Sequence, residues 1–100
     1  MERDANRREL ENLYEAKSTT WEYINGYKEE LSGVNAYLHT AINEIKTMRG
    51  AGWADARRAK QAEIDKLKEE KEDLKKKLDD AFSELSNIKD EIQSIKDRFD

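Results

Sequence analysis

Apolar residues recur through the first half of the chain at alternating intervals of three and four. With heptad position a at Leu10, Lys17, Ile24, Leu31, Leu38 and Ile45, position d falls on Leu13, Thr20, Tyr27, Val34, Ala41 and Met48. Ten of these twelve residues are apolar or aromatic, and the frame does not slip. A stripe repeated every 3.5 residues predicts a helix that buries a narrow seam against another helix. The second half carries a frame of its own, with a at Ile64, Lys71, Leu78, Leu85, Ile92 and Phe99 and d at Leu67, Leu74, Ala81, Ile88 and Ile95. Only Lys71 interrupts it. Charges at i, i+4, such as Glu72 with Lys76 and Lys75 with Asp79, support the same helix from its solvent side.

The two frames do not join. Ile45 and Ile64 are both a positions, yet nineteen residues separate them, which is no multiple of seven. Between them lies Arg49-Gly50-Ala51-Gly52-Trp53. Lys46 and Arg49 supply cations to the last turn of a first helix, and Gly50 can take the left-handed conformation that follows a helix end. Asp55 supplies an anion to the first turn of a second helix. The expected fold is therefore all-α: helix one over about 3–49, a turn at about 50–53 and helix two over about 54–99. A short turn folds the two into an antiparallel coiled-coil hairpin, one unit spanning 1–100, and one unbroken rod is the rival. In the hairpin the numbers of facing residues sum to about 102–105. That register sets Met48 near Ala56, Leu31 near Lys71, and Lys17 near Leu85 and Ile88. The seam lysines are expected to bury their methylenes and send their ammonium groups to water.

Helix one has more apolar surface than its seam requires. Tyr14, Trp21 and Ile42 flank the stripe on one side, and Ala16, Tyr23 and Tyr37 on the other, whereas helix two adds little beyond Phe82. An apolar face wider than the a/d seam implies a bundle of more than two helices. Tyr14, Trp21, Tyr23, Tyr37 and Ile42 are accordingly the candidate partner-binding face, and a dimer or four-helix bundle is the expected assembly. The bland alternative is that some of them widen the seam within the hairpin. Small residues form a strip beside them: Ser18, Asn25 and Ser32 at b, and Thr19, Gly26, Gly33 and Thr40 at c. Glycine in a helix costs roughly 1 kcal/mol relative to alanine. Gly26 and Gly33, seven apart, thus suggest close approach by another backbone, against the plainer reading of an ordinary solvent face.

Composition sharpens this picture. Leu, Ile, Val and Phe number only 18 of 100 residues, a poverty that alone would suggest disorder, while Ala, Glu, Lys, Leu and Arg number 51. With the heptads in place, the coiled-coil reading prevails. There is no proline to break a helix and no cysteine for disulfides or thiolate ligands. The net charge of −4 opposes a nucleic-acid surface, and the run Lys75-Lys76-Lys77 is flanked by Glu72, Asp73, Asp79 and Asp80. No stretch approaches the roughly 20 apolar residues of a membrane span. The opening Met1-Glu2-Arg3-Asp4 lacks the apolar core of a secretory signal. A cytoplasmic location follows as the expectation.

The turn reads Gly52-Trp53-Ala54-Asp55-Ala56, preceded by Gly50. Two long helices joined at a tryptophan in a chain of this length resemble the tryptophan-X-glycine (WXG) hairpin proteins of bacterial type VII secretion. Related small helical proteins accompany the LXG toxins of that pathway. Trp53 matches the family's tryptophan, and Asp55 stands where the family has glycine. The Tyr-x-x-x-Asp/Glu export motif is missing, although in family pairs one partner can carry it for both. The resemblance implies homodimers or heterodimers built as four-helix assemblies, a toxin's N-terminal helices as one kind of partner, and export by a non-classical route. Gly50, Gly52, Trp53 and Asp55 form the turn motif. Physically, Trp53 reads as an apolar plug over the end of the seam, or as a local cap.

No catalytic constellation is visible. His39 is the single histidine and falls at a b position, and Ala36 occupies the place where a di-metal bundle would need glutamate. The sequence offers no glycine-rich phosphate loop and no buried carboxylate pair. The expectations are no catalytic residue, no metal, no cofactor, no small-molecule substrate and a helical protein as partner. An intracellular or phage coiled-coil scaffold, and a regulator that captures an amphipathic helix in its groove, are the alternatives to the type VII reading.

Overall fold

A computed structural model describes residues 2–99 and the side chains of residues 3–98. Two α-helices, α1 (Glu2–Thr47) and α2 (Ala54–Phe99), pack against each other as an antiparallel hairpin, linked by a single 3-10 turn at Ala51–Trp53. The unbroken rod is thereby excluded. By their contacts the residues fall into two compact units: a turn unit, Tyr27–Lys77, and a terminal unit, Met1–Gly26 with Leu78–Asp100.

The heptad frames fix which side chains go inside. Every a and d residue of the first frame, from Leu10 to Met48 just past the end of α1, is buried or half-buried, and so is every one of α2 from Ile64 to Ile95. Phe99, the last a position, lies outside the described side chains. In the terminal unit the core is Ile24, Leu78, Ala81, Leu85, Ile88, Ile92 and Ile95, of which Ile24 is wholly inaccessible. Thr20 is the buried polar member of this seam, and its hydroxyl donates to the Ala16 carbonyl one turn earlier at 2.8 Å. A hydroxyl satisfied by its own helix can occupy a d position without an unpaired polar atom. In the turn unit Leu38, Ala41 and Ile64 form the cluster, with Ile42, Ile45 and Leu67 packed on it. The register agrees with expectation: Trp21 faces Phe82 in the terminal unit, and Glu44 faces Lys60 in the turn unit, pairs summing to 103 and 104.

The first helix closes at Thr47, two residues before the expected Arg49. The reason is visible in its last four carbonyls, which have no partner further along the helix. The Glu44 carbonyl accepts from the Thr47 hydroxyl at 2.7 Å, and that of Ile45 from the Met48 amide at 3.1 Å. The Lys46 carbonyl accepts from the Arg49 guanidinium at 3.4 Å, and that of Thr47 from the Arg49 amide at 3.1 Å. Arg49 thus caps the helix from outside instead of extending it. Gly50 follows with φ 97° and ψ 166°. Its φ is positive as expected, but the pair lies in the extended region open only to glycine, not in the left-handed helical region. The Gly50 carbonyl then accepts from the Trp53 amide and the Arg57 guanidinium, each at 3.2 Å, which starts the 3-10 turn. With Asp55 in its first turn and Lys96 and Arg98 in its last, α2 has its charges where the helix dipole favours them.

Candidate protein-binding surface

Antiparallel pairing brings the e positions of the two helices together on one flank of the seam and the g positions together on the other. Tyr14 and Trp21 are e residues of α1; Phe82, Lys89 and Lys96 are e residues of α2. In the terminal unit these five interleave. Trp21 and Phe82 meet edge to face, with ring centroids 6.5 Å apart and planes at 89°. The Lys89 ammonium lies 5.8 Å from the Trp21 ring centre, and that of Lys96 lies 5.7 Å from the centre of Tyr14. Each ring keeps over a third of its surface in solvent, but each has a partner within the hairpin. The letter e shared by Phe82, Lys89 and Lys96 was the available signal. It becomes informative only when the helices are placed antiparallel.

Ile42, also of the candidate face, is half-buried against the Leu38–Ala41–Ile64 cluster. Tyr23 and Tyr37 lie on the opposite, g flank and are the most exposed of the large apolar side chains among the described residues, at 59% and 72%. The five candidate residues are therefore not one patch: Tyr14 and Trp21 line one flank, Ile42 joins the core, and Tyr23 and Tyr37 stand on the other flank. Trp53, half exposed, leaves much of its ring uncovered at the turn, and His39 is exposed.

Beside Tyr37 the turn unit has a groove of about 430 Å³. Val34, Leu67 and Leu74 give it an apolar lining, Tyr37 and Gly33 bound it on α1, and Glu30, Glu70, Asp73 and Lys77 supply its charges. Apart from the chain neighbours and the adjoining backbone of α1 itself, nothing lies within 4 Å of where a Cβ on Gly26 or Gly33 would sit. No close backbone approach within this chain accounts for either glycine. Lys77 is held 5.9 Å from the centre of the Tyr27 ring.

Further toward the turn is a cluster the heptad reading did not include. Lys60 occupies position d one heptad ahead of Leu67. Its ammonium bridges Glu44 of α1 at 2.6 Å and Glu63 at 3.0 Å, while its side chain is only 19% exposed. The hydrogen bonds it donates to Glu44, first, and Glu63 hold its pKa above the ordinary 10.5. Here a seam lysine finds acidic partners at the flanking positions, a solution not drawn for Lys17 and Lys71, which are simply half-buried. Among the described residues, no group of three histidine or acidic side chains converges as a metal site, and no helix is long and apolar enough to cross a membrane. Comparison with protein-family models, with curated proteins and with solved structures finds no match for this chain.

Proposed function

We propose that this chain is a non-enzymatic helical hairpin that binds another helical protein. The observation that carries the reading is the groove of the turn unit. Val34 and Leu67 in its lining are only half-buried, over the buried Leu74 and beside the exposed ring of Tyr37 and the bare backbone of Gly33. A two-helix protein with so few large apolar residues gains little by leaving such a surface uncovered, whereas a third helix laid along it completes a bundle. The partner is a second copy or another protein, giving a homodimer or a heterodimer. The layout supports, in particular, the WXG and LXG-associated small proteins of type VII secretion: helices of 46 residues each, with Trp53 in the three-residue turn between them.

Light scattering of the purified chain, alone and mixed with the products of adjacent genes, tests this. A stable complex with a neighbouring gene product, or a defined dimer, is the expected result. A chain that remains at its monomer mass of 11.7 kDa under every condition would remove the reading. Secretion-system or toxin genes alongside are required by the type VII version and not by the broader one.

A further inference from the structure

We infer that the groove between α1 and α2 in the turn unit receives a cationic amphipathic helix from a different protein, one whose apolar stripe is flanked by lysine or arginine. This deepens the proposed function, and it presupposes that the chain binds helices at all.

The spacing of the lining residues gives the shape of the occupant. On α1 they are Glu30, Gly33, Val34 and Tyr37, at i, i+3, i+4 and i+7; on α2 Glu70, Asp73, Leu74 and Lys77 repeat the same intervals, with Leu67 one turn before them. Two parallel rows at helical spacing make a trough for a third helix lying alongside both. At 1.5 Å per residue the rows run for roughly 10–15 Å, so two to three turns of the incoming helix are engaged. Gly33 is the position where a side chain would stand at the trough's edge. Since nothing beyond its chain neighbours and the adjoining backbone of its own helix lies within 4 Å of its missing Cβ, the glycine keeps room for something outside the hairpin.

Charge gives the chemistry. Glu30, Glu70 and Asp73 set three carboxylates around the apolar lining, against the one ammonium of Lys77, and that ammonium is drawn to the Tyr27 ring. No ion pair among the described residues neutralises the three. Contrast Glu44 and Glu63, whose charges are already met by Lys60. An occupant with lysine or arginine beside its apolar stripe supplies what the rim lacks, and one with acidic flanks meets like charge. The same consideration opposes a second copy docked by this face. A two-fold dimer brings identical patches together, so Glu30, Glu70 and Asp73 would confront their own counterparts.

The test uses the whole chain and two end-blocked, fluorescein-labelled 18-residue helical peptides. Both carry leucine at the seam positions, one with lysine and one with glutamate at all others, and binding is read by anisotropy at low and moderate salt. The lysine peptide is expected to bind at least tenfold more tightly than the glutamate peptide. Gly33→Leu should weaken it at least tenfold while melting no lower than the unsubstituted chain. Glu70→Gln with Asp73→Asn should weaken it and flatten its salt dependence. Glu29→Gln with Glu69→Gln removes the same charge outside the groove and should leave affinity within about twofold. Equal or tighter binding of the glutamate peptide overturns the inference but leaves helix binding intact. So does lysine-peptide binding that Gly33→Leu does not change. Self-association that Gly33→Leu abolishes would make a second copy the occupant and overturn it as well. If neither peptide binds, the inference fails; if light scattering also finds no partner and no dimer, the proposed function fails with it.

Discussion

The glycines illustrate how much backbone conformation decides at the scale of one residue. Gly50 has φ 97° and ψ 166°, a combination that costs a side-chain-bearing residue about 1–3 kcal/mol. Gly33 sits in regular helix with open space where its Cβ would be. Gly50→Ala should therefore destabilise the hairpin by about 1–3 kcal/mol, whereas Gly33→Ala should stabilise it by roughly 0.5–1 kcal/mol through helix propensity alone. Urea unfolding followed by circular dichroism measures both, and opposite signs are the expected result. Lys60 has a signature of its own. Its folded pKa lies above 10.5 because Glu44 and Glu63 favour the charged form. The unfolded chain releases that proton first, so the contribution is complete below about 10.5 and is lost as pH rises through the elevated folded value. Compared with Lys60→Met, the unsubstituted chain should lose stability more steeply above pH 10.5, and parallel curves would show that the bridge contributes nothing.

At the scale of the elements, the seam carries the structure and its members contribute unequally. Leu85 is 3% exposed, so Leu85→Ala should cost about 2–5 kcal/mol in a chemical denaturation experiment. Leu10, half-buried, should cost less when truncated in the same way. Lys71 occupies an a position that is half-buried, and Lys71→Leu should raise stability by about 1 kcal/mol, the gain from adding part of a leucine side chain to the interior. These positions were all legible in the sequence, because a 3.5-residue period states which residues face inward. The less legible features each depend on which helix lies opposite. Lys60 belongs to the second frame, but a seam read from its first apolar residue, Ile64, passes over it. Its role appears only once Glu44 is known to stand across from it. Tyr14 and Trp21 looked like surplus surface because Lys89 and Lys96, which cover part of them, are unremarkable on α2 alone. Periodicity carries α1 past its true end because Met48 continues the d series, while the capping by Thr47 and Arg49 is local hydrogen bonding that periodicity does not encode.

For the molecule, the scarcity of large apolar residues sets the terms. A chain with 18 Leu, Ile, Val and Phe residues folds because a seam asks for only two inward positions in seven. The same economy means that each unit is one layer deep, with a core that is a line of side chains and not a volume. Ile24 is the only large side chain among the described residues with less than 2% of its surface in solvent. A fold so thin gains proportionately when another helix covers it, and thermodynamic linkage states by how much. A ligand that binds the folded chain alone stabilises it by about 2.7 kcal/mol when present at a hundred times its dissociation constant. For a domain of this size each kcal/mol moves the thermal midpoint by about 4–8 °C, so saturation should raise it by at least ten degrees. The melting curve of the full chain, recorded against increasing lysine-rich helical peptide, should climb with the logarithm of peptide concentration. The Gly33→Leu chain should start as high or higher and climb less at every peptide concentration. A midpoint that rises equally in both would mean that the peptide stabilises the hairpin from some other surface, because the groove at Gly33 is the feature the two chains do not share.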